Sequence, residues 1–236
     1  MDLSARTALI SRRRPAQAPR SLGGLLRDNG LSLVLGVAFA VLLAAQSIAG
    51  HLSLNEERAE HRQPALSYAE YLTSSHFAEA TFENWESEFL QMAAYVLLTV
   101  FLIQRGSAES NDPTGASERP SSPRGAVPWP VRRGGWIARI YAHSLSLAFA
   151  ALFAMSFALH AFSGTALHNE EQRQHQMPGV GVLEYVCSAQ FWFESCQNWQ
   201  SEFLAILCMV VFSIYLREKG SPESKDVDAP HAQTGS

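Results

Sequence analysis

The sequence predicts an all-α membrane protein, with four transmembrane helices arranged as two tandem two-helix repeats in parallel orientation. Three observations carry this expectation. Residues 31–50 and 145–164 are uncharged, mostly apolar runs of twenty. Each matches the roughly 20 residues that a helix needs to cross about 30 Å of hydrocarbon. Residues 55–110 recur at 169–224, 114 positions on and without a gap, with 21 of 56 positions identical. Such an exact period sets the architecture before any residue chemistry is considered. Finally, 15 of the 18 Lys and Arg lie outside segments 51–84 and 165–198, which hold ten Asp and Glu. Basic residues stay on the cytoplasmic side, so both termini and the centre of the chain are expected there, with two acidic loops outside.

In chain order, residues 1–21 are rich in Arg, Ala, Ser and Pro and read as a disordered cytoplasmic lead. Repeat unit one follows over 22–110, with spans near 31–52 and 85–104. The sequence SIAG at 47–50 has the small residues of a signal-peptide cleavage site. However, the run is longer than the 7–15 residues of a signal core, and its partner at 145–164 lies mid-chain, so an uncleaved span is expected. The second span has an apolar core only over 89–103. At 1.5 Å per residue that covers about 23 Å, so the span borrows the preceding turn. Residues 111–130, rich in Ser, Pro and Gly, read as a flexible cytoplasmic linker. Repeat unit two occupies 131–225, with spans near 143–164 and 199–217, and 226–236 reads as a disordered tail. Because each unit crosses twice, both copies enter and leave on the same side, which relates them by a pseudo-two-fold axis along the membrane normal.

The loops have a readable interior. Ser67 and Glu70 form a capping box that starts a short helix. Gly181 and Glu184 stand at the matching places in the second loop. The aromatic side of each short helix is expected in the membrane interface. Cys187 and Cys196 also sit in this outer region, where oxidation is possible. Their first-copy counterparts, Thr73 and Phe82, show that the unit does not need a bridge. Cys208 falls inside a span as a small apolar filler.

Three constellations are candidates for more than folding. Ser32, Gly36, Ala40 and Ala44 recur every fourth residue, and Ser146, Ala150, Ala154 and Ala158 repeat that register. Small residues at this spacing let membrane helices approach closely. The element NW[EQ]SEFL at 84–90 and 198–204 places Asn84 and Asn198 as helix caps and Trp85 and Trp199 as interface anchors. It places Glu88 and Glu202 against the positive end of the helix dipole or, with His160, along a proton or ion path. The element NEExxxH pairs Glu57 with His61 and Glu171 with His175 one helical turn apart. That spacing suits weak metal chelation or a plain ion pair. His76 and Glu79 have no counterpart in the second copy, which has Gln190 and Phe193, and are discounted.

The RDNGLSL start at 27–33, the NEE element, FENWESEFLQMAAYVLLTVFL at 82–102, the QRGSAES exit and the VRRGG and HSLSL restart together resemble a group of short bacterial membrane proteins. That group is known only as a domain of unknown function. The resemblance covers roughly 22–225 and departs in the long arginine-rich N-terminus and the cysteines. It implies a four-span inner-membrane protein and carries no established activity, substrate or catalytic residue.

No phosphate-cradling loop, nucleophile elbow or dinucleotide fingerprint occurs. The expectation is therefore a non-enzymatic structural or envelope-associated component with no cofactor. Its partners are expected to be the lipid bilayer and either a second copy or another membrane protein. The net charge of −4 sums opposed compartments and gives no reason to expect nucleic acid. A small transporter or proton-coupled channel using Glu88 and Glu202, and an extracytoplasmic metal-binding protein, stand as alternatives.

Overall fold

Why the described chain is helical throughout follows from its long apolar runs and from caps placed at matching points of the two copies. The computed structural model describes residues 28–112 and 127–235. The proposed lead at 1–21 and most of the linker lie outside the described residues. The chain divides into two compact units, the first ending at Leu66 and the second beginning at Ser67.

The first unit is built on α1 (Gly30–Glu60) and its outgoing loop. Asn55 clamps that loop: its Oδ1 accepts from the Leu66 amide at 2.8 Å and its Nδ2 donates to the Leu66 carbonyl at 3.0 Å. Arg58 Nε donates to the Pro64 carbonyl, and His61 Nδ1 donates back to the Glu57 carbonyl. Arg62 ends the helix in the left-handed region, φ 56°. There the Gln63 amide reaches the Arg58 carbonyl, which satisfies a carbonyl that the helix end leaves open.

The second unit contains α2 (Tyr68–Leu72), α3 (Ser75–Phe101), α4 (Trp129–Arg133), α5 (Gly135–Ala142), α6 (Ser144–Gln174), α7 (Val182–Val186) and α8 (Ala189–Tyr215). The long α3 packs chiefly along α6 and secondarily against α8. The loop after α6 repeats the clamp already seen after α1. Asn169 holds the Val180 amide at 2.7 Å and its carbonyl at 2.9 Å, and Gln176 takes φ 59°. In NEExxxH, then, the asparagine has a structural task common to both copies. The core of this unit is Ala161, Tyr185 and Phe191, flanked by Phe157, Val180, Val182 and Val186.

Several expectations are corrected here. The helices expected to start at Asn84 and Asn198 start about ten residues earlier, at Ser75 and Ala189. Ser74 and Ser188 cap them, each accepting from the amide of the phenylalanine three residues on, Phe77 or Phe191. Asn84 instead donates to the Ala80 carbonyl within its own helix. The capping box at Ser67 and Glu70 is present, but Tyr71 and Tyr185 are turned inward and buried, because the aromatic faces of α2 and α7 fold onto the long helices. The expected ridge is exposed at Ser32, Gly36, Ala40 and Ala44 and at Ala150, Ala154 and Ala158, with Ser146 half-buried. Helix α6 is instead buried at Ser156, His160, Ala161, Gly164 and Thr165.

The tail is folded as well. Lys225, only 2 % exposed, points its ammonium at the carbonyls of Gly106, Gln233, His231, Ile214 and Pro230 at 2.6–3.4 Å. The Gly235 amide bonds the Ser107 carbonyl, and Thr234 accepts from the Gly106 amide. Gly106 has φ 83°, and a Cβ there would lie 2.5 Å from the His231 carbonyl, so this crossing needs glycine. The repeated GSxES exits form the same loop twice, Ser110 Oγ accepting from the Gln104 amide and Ser224 Oγ from the Glu218 amide.

Among the described residues three helices are long and apolar enough to cross a membrane: Gly30–Glu60, Ser144–Gln174 and Ala189–Tyr215. Helix α3 has the 27 residues of α8 but carries Glu79, Glu83, Glu86 and Glu88 through its first half.

Gly164 is where α7 seats against α6. A Cβ there would lie 2.7 Å from the Tyr185 hydroxyl and 2.8 Å from its ring. Substituting Gly164→Ala should therefore cost about 1–2 kcal/mol through overpacking, read as a lower midpoint in denaturant titration of the detergent-solubilised chain. An unchanged midpoint would show that α7 shifts freely.

Candidate functional site

Glu79, Glu83 and Glu86 fall at i, i+4 and i+7 on α3, one stripe of the helix. That stripe meets His160 of α6. His160 Nδ1 lies 2.7 Å from Glu86 Oε2, with both side chains withdrawn from solvent. A carboxylate can only accept, so the imidazole donates from Nδ1. The second Glu86 oxygen accepts from Trp199 Nε1 at 3.0 Å. Glu83 Oε1 accepts from Asn198 Nδ2 at 2.7 Å. Both donors come from the NW element on α8, so three helices meet at one polar centre.

A ring nitrogen of His160 and one oxygen each of Glu79 and Glu83 lie within 4.8 Å of one another. With Nδ1 committed to Glu86, the other nitrogen, Nε2, is buried and has no hydrogen-bond partner among the described residues. The imidazole is stacked on Phe191, centroids 4.8 Å apart and planes 25° apart, which fixes the ring's tilt. Glu194 closes the cluster, accepting from the Tyr185 hydroxyl at 3.0 Å and from Gln190 at 3.1 Å. Burial, then the Glu194 charge and the hydrogen bond to it, push the Tyr185 phenol above its usual value. Tyr185 therefore stays a donor.

The residues expected from sequence fall in different places. His160 is at the centre. Glu88 is exposed and Glu202 half-buried. Neither stands at a helix N-terminus, so the expected dipole role does not apply to them. Trp199 turns its N–H inward to Glu86, whereas Trp85 is half-buried and edge-on to Phe82. Glu57, His61, Glu171 and His175 are exposed, and among the described residues no third ligand joins either pair. Cys187 and Cys196 are exposed and unbridged, and Cys208 is half-buried. Glu79, Glu83 and Glu86 went unselected in the sequence. The signal that would have found them is the acidic spacing i, i+4, i+7 in a helix otherwise apolar enough for a membrane.

With Glu88 exposed and both glutamates far from either helix end, the double substitution Glu88→Gln with Glu202→Gln should change stability by no more than about 0.5 kcal/mol. The same denaturant titration reads it, and a larger loss would give these side chains a packing role that the structure does not contain.

Among curated proteins and among solved structures, no match is found. A family match covers residues 22–236, and the chain belongs to that family, described as the domain of unknown function DUF6766.

Proposed function

We propose that this chain is a four-span bacterial inner-membrane protein, with both termini cytoplasmic, that acts without catalytic chemistry as a structural or envelope-associated component. One observation carries the reading: α3 of the first sequence copy is joined to α6 of the second through a buried Glu86–His160 pair that α8 completes. Glu86 is turned into the protein interior, with Glu79 and Glu83 half-buried on the same stripe and Glu88 exposed, and a helix that withdraws most of its acidic groups in this way is able to stand in a bilayer. Its apolar second half, extended by the preceding turn, supplies the fourth span. The two copies then form parallel repeats, and the exposed small-residue ridges face lipid or a second copy of the chain.

A transport path through Glu88 and Glu202 finds less support, since Glu88 is exposed and a cavity of about 620 Å³ lies away from both, lined by Thr99, Glu109, Asn111 and Thr234 at the linker and tail. Topology reporters fused at residues 60, 115, 175 and 230 test the reading. Periplasmic reporters should work at 60 and 175, and cytoplasmic ones at 115 and 230. Cytoplasmic activity at 60 or 175 overturns it. Proteoliposomes under an imposed proton gradient should show no flux above empty vesicles, and flux that Glu88→Gln abolishes would install the transport reading in its place.

A further inference from the structure

We infer that Glu79, Glu83 and His160 form a binding site for one divalent transition-metal ion, of which zinc is the best fitted. His160 is fully buried, its Nδ1–H is held by Glu86, and its Nε2 has no hydrogen-bond partner. A buried nitrogen lone pair left without a donor is costly, and a metal ion satisfies it.

The Glu86–His160 contact is the arrangement that surrounds metal-bound histidines, in which a carboxylate takes the distal N–H, fixes the tautomer and raises the basicity of the free nitrogen. Asn198 does the same service for Glu83, fixing one of its oxygens at 2.7 Å. A ring nitrogen of His160 and one oxygen each of Glu79 and Glu83 already lie within 4.8 Å of one another, close to the span of donors around one ion before they draw in. Charge agrees with geometry. The strongest electrostatic neighbours of Glu79 and Glu83 are each other, His160, Glu194 and Glu86, with no lysine or arginine among them. Two half-buried carboxylates facing further acids call for positive charge, and a dication supplies it.

The donor set selects the class of ion. One imidazole nitrogen and two carboxylate oxygens are borderline to hard ligands, suited to zinc, manganese or ferrous iron. A three-ligand set with the fourth position left to water is the pattern of open zinc sites. The weaker expectation of zinc at Glu57 with His61, or Glu171 with His175, lacks a third ligand in either place, so this site replaces it.

Isothermal titration of the chelator-stripped, full-length chain in detergent with zinc alone tests the inference. One saturable ion per chain is expected, with affinity in the micromolar range or tighter. The variant carrying Glu79→Gln and Glu83→Gln should bind at least about tenfold more weakly while its apo melting temperature and circular dichroism stay those of the parent. Asn198→Ala, which leaves all three ligands in place, should weaken binding by about tenfold, the usual effect of removing a group that orients a ligand. Absence of saturable binding by the parent chain overturns the inference. So does binding that survives the double variant, or binding lost instead on Glu57→Gln with Glu171→Gln. These readouts are separate from membrane topology, so the site and the four-span reading stand or fall apart.

Discussion

Replacing His160 with leucine should destabilise the protein by about 3–5 kcal/mol, because it removes the imidazole N–H that holds a buried carboxylate and strands that charge. Glu86 would keep only the Trp199 N–H at 3.0 Å and would face an apolar side chain where the imidazole had been. Its charge would then be desolvated without compensation. The pair has a second expected property. Changing both residues together, Glu86→Leu with His160→Leu, should return most of the lost stability, since an apolar pair of similar size leaves nothing stranded except the Trp199 donor. The measurement is a denaturant titration of single and double variants in one detergent. A single variant as stable as the parent, or a double variant worse than the sum of the singles, would remove Glu86–His160 as the link between α3 and α6.

Lys225→Met should release the tail from the end of the helices. Its ammonium is shared among five backbone carbonyls at 2.6–3.4 Å, and methionine keeps the length of the side chain while withdrawing every donor. Hydrogen bonds from a charged donor contribute about 1.5–3 kcal/mol net, so a local loss of about 2–3 kcal/mol is expected. Hydrogen exchange reads the effect at the amides of Gly235 and Gly106, which bond Ser107 and Thr234. Exchange there should accelerate by roughly 30- to 150-fold, given a factor of ten per 1.4 kcal/mol, while amides of α6 are unchanged. Equal acceleration in α6 would show that the tail supports the whole unit and is no separate latch.

Much of the architecture was legible in the sequence because it rests on hydrophobic periodicity and local capping, and both act over a few residues. The apolar runs became α1 and α6, and the capping box at Ser67 and Glu70 became the start of α2. The starts of α3 and α8 were misplaced because Asn84 and Asn198 are good caps by type. Ser74 and Ser188, equally good and matched in both copies, win because the phenylalanines that follow them are held, Phe77 against Tyr71 and Phe191 in the core. The tail was misread for a different reason: its order comes from Lys225 reaching Gly106, 119 residues away, and composition carries no trace of such a contact. The candidate site was half legible. His160 was visible as a polar residue in an apolar run. Its acidic partners were not, because Glu79, Glu83 and Glu86 correspond to Phe193, Gln197 and Gln200 in the second copy and so fall outside the repeated pattern.

That difference has a genetic consequence. Where the first copy has Glu79, Glu83 and Glu86, the second has Phe193, Gln197 and Gln200; where the second has His160, the first has Gln46. Each copy supplies one side of the polar centre and lacks the other, so neither half can build that centre with a second copy of itself. A gene broken within codons 113–126 should give two products that are inactive when made singly and complement when made together. A self-pairing form of either half would meet a partner that lacks what it lacks itself.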